Sequence, residues 1–146
     1  MTEFQLLNTT DFVTTLEKES IIQFLMGNLD DYCDSHENVS RSIEYALSKF
    51  PHQGGFVLLA RWNAQVGASV VNRTNFEGYF AENILVYLAV AKFERGKGIA
   101  KELLKQTKLF AKGDILFRMK AGGNGDLCKA SGFEESATEY LFRREH

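Results

Sequence analysis

One proline, two cysteines, one tryptophan and no long apolar run are all that 146 residues contain of these features, and each shortage excludes something. Cys33 and Cys128 stand far apart and give no disulfide framework; they suit the reduced thiols of a cytosolic protein. The longest uncharged apolar stretch, Ile84 to Ala91, is far too short to span a bilayer. A basic excess is missing as well. With 17 Lys and Arg against 19 Asp and Glu, a net charge of −2 and a pI near 5.9, nucleic acid is not expected as a partner. The opening "MTEFQLLNTT" shows neither the basic nor the apolar region of a secretory signal, so the expected location is cytoplasmic, with no membrane partner. Repeats, low-complexity tracts and linkers are absent, and Pro51 falls between predicted elements. A chain of this length is expected to form one domain, residues 1–146, burying roughly 70% of its unfolded surface without a metal or disulfide staple.

The patterns that are present predict an order of elements. Thr10 or Asp11 is placed to cap a helix carrying Phe12, Val13 and Leu16, with Ile21, Ile22, Leu25, Met26 and Leu29 continuing the stripe in one helix or two. "NLDDYCDSHEN" reads as a polar loop. A second helix places Val39, Ile43, Leu47 and Phe50 on one face and ends at Pro51 and Gly54-Gly55. The period then changes. "FVLLARW" and "VGASVVN" flank Asn63-Ala64-Gln65 as a hairpin, and "ILVYLAVA" is apolar on both faces, as a central strand is. Gly98 to Ala111 reads as a helix with Ile99, Ala100, Leu103, Leu104, Thr107, Phe110 and Ala111 inward and a lysine stripe (Lys101, Lys105, Lys108, Lys112) outward, solvated rather than a polyanion site. "DILFRMK" follows as a strand parallel to "ILVYLAVA". A glycine-rich loop with a short helix and a closing strand in "ATEYLFRR" complete the order α-α-β-β-β-α-β-(short α)-β. That order is an α+β or mixed α/β layer, a mostly antiparallel sheet with one parallel β-α-β crossover.

The segment "RGKGIAKELLK" is the candidate for chemistry, because it sits where the central strand turns into the amphipathic helix. It is neither a Walker A loop, which needs G-x-x-x-x-G-K-[ST], nor a dinucleotide fingerprint, since Lys101 stands where the third glycine belongs. Gly96 and Gly98 are explained either as a tight turn or as a cradle. In the second reading, bare helix N-terminal N–H groups and a partial positive charge meet a pyrophosphate, no Cβ keeps it away, and Arg95 and Lys97 add charge at the rim.

"RGKGIA" after an apolar strand has the form R-x-x-G-x-A, and with "ENILVYLAVAKFERGKGIAKELLKQTK", "GDILFRMK" and "SGF" the chain resembles the GCN5-related N-acetyltransferase (GNAT) superfamily. The resemblance implies a GNAT-like fold in which "ILVYLAVA" and the following strand splay apart. It also implies acetyl-CoA as co-substrate, without a metal, and transfer of acetyl to a primary amine by direct attack on the thioester. By resemblance, Arg95, Gly96, Lys97, Gly98, Ile99 and Ala100 cradle the pyrophosphate, and the strand at Leu88, Ala89 and Val90 pairs with the pantetheine arm. A backbone N–H near Leu88 to Val90 would donate to the oxyanion. The family often uses a Glu on this strand as base, which points to Glu82, on one face with Ile84, Val86 and Leu88 by strand alternation; a solvated loop-end role is the alternative.

Two departures from the family pattern stand out. Where relatives place a Tyr before the terminal Gly-Phe of the short helix, "LCKASGF" has Cys128, which reads as a general acid or as a small core residue. "AGGNGD" replaces a longer helical lead-in, leaving Asn124 as the cofactor-side Asn. For the acceptor, the first two helices and their loop form the expected wall. Asp31 and Tyr32 would face a cationic amine, with Asp30, Asp34 and Glu37 nearby; an exposed polar loop is the alternative. Cys33-x-x-His36 is too little for zinc. A non-catalytic acyl-CoA-binding or regulatory domain of the same fold is the rival reading, and the pattern admits a monomer or a homodimer.

Overall fold

The computed structural model describes residues 2–78, 80–118 and 125–144. Its frame is a five-stranded sheet in sequential order, β1 (Glu3–Asn8), β2 (Gly55–Trp62), β3 (Ala64–Arg73), β4 (Asn83–Val90) and β5 (Ile115–Phe117). The first three pairings are antiparallel and β4–β5 is parallel, so the mostly antiparallel sheet with one crossover is as expected. Helices α1 (Thr15–Asn28) and α2 (His36–Leu47) cover one face. Leu25, Val39, Ile43, Val57 and Val70 form the buried layer between them and the sheet. Helix α3 (Ile99–Phe110) and the short α4 (Gly125–Ala130) cover the other, through Leu58, Leu85, Leu103 and Leu104, with Leu127 and Phe133 at its margin. The sheet buries both of its faces, which is why its central strands read as continuous apolar runs.

Several boundaries differ from the sequence expectation, each for a local reason. β1 was not expected: its weak alternation reflects an edge strand with only Leu7 buried. Thr10 and Asp11 do not cap α1; they close a turn on Asn8, whose N–H donates to Asp11 Oδ2 at 2.8 Å, and Thr14 caps the helix instead. Phe12 and Leu16 therefore lie outside the core, 90% and 81% exposed. α1 is one helix, followed by a 3-10 turn, Asp30–Tyr32, within the expected loop. α2 is capped by Ser35 and stops at Leu47, so Phe50 is off its stripe and exposed.

The hairpin narrows to Asn63, in left-handed conformation, because Trp62 already pairs with Ala64. Phe110 is only half covered, packing edge-on against Phe56. β5 pairs over three residues, and positions 119 and 120 of the expected strand lie outside the described residues. "ATEYLFRR" forms no strand among the described residues: Tyr140, Leu141 and Phe142 are exposed, and β propensity alone supplies no partner edge.

Candidate cofactor and acceptor site

The site is a V opened in the sheet. β4 and β5 pair at Asn83↔Ile115, Ile84↔Leu116 and Leu85↔Phe117, and no further. Beyond Leu85, β4 runs on to Val90 with no strand partner on that side among the described residues. A bulge marks the point of divergence: Val70 pairs with Tyr87 and Val71 with Leu85, leaving Val86 as the extra residue on β4. Bulges bend a strand and increase its twist.

The other end of the V is clamped. Buried Asn83 donates from Nδ2 to the carbonyls of Lys112 (2.7 Å) and Asp114 (3.2 Å), and its own N–H donates to Asp114 O. Glu82 Oε2 accepts from the Asp114 N–H at 2.9 Å. Gly113, at φ +92°, leaves room for that carboxylate, since a Cβ there would lie 2.8 Å from Glu82 Cδ.

The glycine turn stands at the open end. Gly96 and Gly98 have φ of +81° and +82°, a backbone that other residues adopt only with strain, while a Cβ at either position would meet nothing within 4 Å. Conformation, not crowding, requires glycine here. Gly98 is the N-cap of α3 and offers no side-chain hydrogen bond, so the first N–H groups of the helix face outward unpaired within it. Lys97 is paired with Glu94 at 2.8 Å. Along α3 a groove of about 550 Å³ begins at Gly98 and passes Lys101, Lys105 and Lys108 to Ser131. Lys101, Lys105, Lys108 and Lys112 are all exposed, as the solvated stripe was expected to be; the first three border this groove, and Lys108 Nζ donates to Ser131 O.

Arg95 corrects the expectation of a mobile charge at the rim. Its Nε donates to Val90 O at the end of β4 (3.2 Å), and its Nη2 and Nη1 donate to Asn28 O (2.8 Å) and Asp30 Oδ2 (2.5 Å), at and just after the end of α1.

On the α1–α2 face, the loop after α1 lies against the bulged strand. Tyr87, next to Val86, donates to Asp34 Oδ2 at 2.9 Å; burial, then the Asp34 bond, pushes its phenol up to about 12. Bonds from Asn38 and from the Ser35 N–H, together with Tyr87, hold the Asp34 carboxyl below its usual range and therefore ionised. Asp31 and Tyr32 stand between Asp30 and Asp34 on the same loop, and both are exposed.

Solved structures share this architecture across their length. An aminoglycoside N-acetyltransferase in complex with CoA superposes with a TM-score of 0.70 at 13% identity, covering 100% of this chain and 97% of the other. A predicted acetyltransferase with acetyl-CoA from Clostridium acetobutylicum gives 0.69 at 14%, over 98% and 96%. A GNAT family acetyltransferase from Streptococcus pneumoniae gives 0.67 at 16%, over 99% and 100%. The chain has the GNAT fold. No protein-family model matches its sequence, and no curated protein does so significantly.

Within this GNAT fold the residues singled out in the sequence divide into those near the turn and those apart from it. Leu88, Ala89, Val90 and residues 95–100 share the open end of the V. Glu82 is at the clamped end, about 20 Å from Leu88 along an extended strand. The bulge also breaks the alternation that was to put Glu82 on one face with Val86 and Leu88: Val86, Tyr87 and Ala89 join the α1–α2 layer, while Leu85, Leu88 and Val90 join the α3 layer. Cys128 is partly buried on α4, and that burial pushes its thiol up, so it holds its proton at neutral pH. Asn124 lies outside the described residues.

His36 bonds Glu19 rather than joining Cys33, and among the described residues no three His, Cys, Asp or Glu gather as metal ligands. No helix among them is long and apolar enough to cross a membrane. Tyr87 and Asn83 escaped the sequence reading. A Tyr within an apolar strand and an Asn at its start were the available signals, but their partners come from other elements.

Proposed function

We propose that this chain is an acetyl-CoA-dependent N-acetyltransferase. The observation that carries the proposal is the end of the β4–β5 ladder at Leu85, beside the bulge at Val86, with a positive-φ glycine turn and a helix N-terminus without a side-chain cap where β4 ends. A pyrophosphate suits that turn because outward N–H groups and the helix dipole favour an anion. Structures of the same fold hold CoA or acetyl-CoA, and one of them is an aminoglycoside N-acetyltransferase, which supports an amine as acceptor.

In the proposed reaction the amine nitrogen attacks the thioester carbonyl carbon. The C–S bond then breaks, the nitrogen releases a proton, and the CoA thiolate takes one up. N–H groups at Leu88 to Val90 are the proposed oxyanion donors. Cys128, protonated at neutral pH, is the proposed donor to the thiolate. Asp31 and Tyr32, with ionised Asp34 behind them, form the proposed wall for a cationic amine. Glu82 is proposed as base through water and not by direct contact, because its carboxylate is engaged by Asp114 N–H about 20 Å along the strand from Leu88.

A second reading, an acyl-CoA-binding domain without catalysis, is favoured by that engagement and by Cys128 in place of the family's Tyr. Calorimetric titration with acetyl-CoA, desulfo-CoA and ATP tests the shared premise: micromolar binding of both CoA compounds with much weaker ATP is expected. Absence of binding by all three refutes both readings. CoA thiol release with a panel of amines then separates enzyme from binder.

A further inference from the structure

Helix α1 has no basic residue in its last turn, yet its final carbonyl is not left to water: Arg95, from the turn before α3, donates to Asn28 O. The same guanidinium reaches Val90 O at the end of β4 and Asp30 Oδ2 in the 3-10 turn. Around it, the Lys92 N–H donates to Asn28 Oδ1 at 3.1 Å, and Lys92 Nζ stands 3.9 Å from Asp30 Oδ1. Asp30 is itself in left-handed conformation, φ +54°, which Asp and Asn adopt more readily than other non-glycine residues. The loop carrying Asp31 and Tyr32 is thus fastened at one end by Arg95 and at the other by Tyr87 on Asp34.

We propose that Arg95 is a positioning residue whose side chain latches the acceptor-side loop, residues 29–34, to the glycine turn, so that the two walls of the site order together. The phosphate contacts then fall to the backbone of residues 96–100. A guanidinium is a planar, rigid fork, and turning it toward a phosphate at Gly98 would forfeit all three acceptors at once. Loop and turn are therefore energetically linked: whatever steadies the turn steadies Asp31 and Tyr32.

The linkage to a bound cofactor rests on the acetyl-CoA reading; the latch itself does not. Amide hydrogen exchange of the ligand-free protein tests the latch, read at Tyr32 N–H, bonded to Leu29 O, and Cys33 N–H, bonded to Asp30 O, against α3 amides as reference. Arg95→Ala and Asp30→Asn (Asn tolerates the left-handed backbone) should each speed exchange at these two amides about tenfold, as expected for loss of a charged hydrogen bond. The double variant should be no faster than the faster single one. Arg95→Lys should restore part of the protection. Calorimetry should find acetyl-CoA affinity in Arg95→Ala within about threefold of wild type, whereas a lost Arg–phosphate pair costs tenfold or more. Bound acetyl-CoA should slow exchange at Tyr32 and Cys33 in the wild type and not in Arg95→Ala. Unchanged exchange in both single variants overturns the proposal, as does a loss of acetyl-CoA affinity above tenfold in Arg95→Ala. If the wild type binds no acetyl-CoA, the functional reading fails while the ligand-free exchange still decides the latch.

Discussion

The two ends of β4 are opposite solutions to one problem. At Asn83 a buried amide, a carboxylate and a parallel ladder tie the strand to the turn that starts β5. At Val90 the β5 ladder has ended, a bulge lies behind, and the following turn has two positive-φ glycines and a helix N-terminus without a side-chain cap. The polar groups of one end are engaged by the chain itself, whereas the proposed cofactor falls at the other. On the acetyl-CoA reading, stability and binding are separated along eight residues of one strand.

Substitutions at the two ends should divide accordingly. The largest effect is expected at the open end: Gly98→Glu adds a charge and a side chain at φ +82° and should lower acetyl-CoA affinity at least about 100-fold in calorimetry. Because a Cβ there meets nothing within 4 Å, circular dichroism should show the variant folded. At the clamp, Asn83→Ala should cost about 2–3 kcal/mol in urea unfolding by orphaning the carbonyls of Lys112 and Asp114. An affinity loss exceeding this stability loss would mean that the V is held elsewhere.

The bulge lies between the two ends, and Tyr87 there predicts a pH effect. Its pKa is raised in the folded state, so its contribution is complete below about pH 10 and is lost as pH rises through about 12. Wild type should lose about 2 kcal/mol relative to Tyr87→Phe across that interval, measured by denaturant titrations at a series of pH values. Identical curves would remove the Asp34 bond as a cause. Asp34 has the opposite sign: its lowered pKa stabilises the fold above about pH 4, a contribution lost as pH falls through the folded value.

The smallest effects are expected for Glu82→Gln and Cys128→Ala. Glu82→Gln should leave acetyl-CoA affinity within about twofold and reduce stability by about 1 kcal/mol, since an amide oxygen still accepts from Asp114 N–H. If thiol release occurs, loss of about 100-fold in its rate with Glu82→Gln would support the proposed base at the clamped end. Cys128→Ala should slow release about tenfold or less, because a thiolate leaves tolerably without a donor, and Cys128→Tyr restores the family's acid for comparison.

The central strand, the amphipathic α3, the hairpin at Asn63 and the glycine turn were legible from periodicity and residue type. Each is specified by neighbours within a few positions. The same local reasoning misplaced the cap of α1, where Thr10, Asp11 and Thr14 all suit the role and only the turn on Asn8 selects among them. β1 and the segment 137–144 failed in opposite directions. A weak alternation became a strand because β2 offered it an edge; a strong β pattern did not, because among the described residues no edge met it.

By itself the sequence determined where glycine was needed and where a strand had to be buried on both faces, since backbone conformation and hydrophobic period are properties of short segments. Tertiary structure alone decided the register slip at Val86, the partners of Asn83 and Tyr87, and the direction of Arg95. Each of those depends on which distant backbone groups arrive nearby, a choice made by packing the whole sheet and not by any residue's own preference.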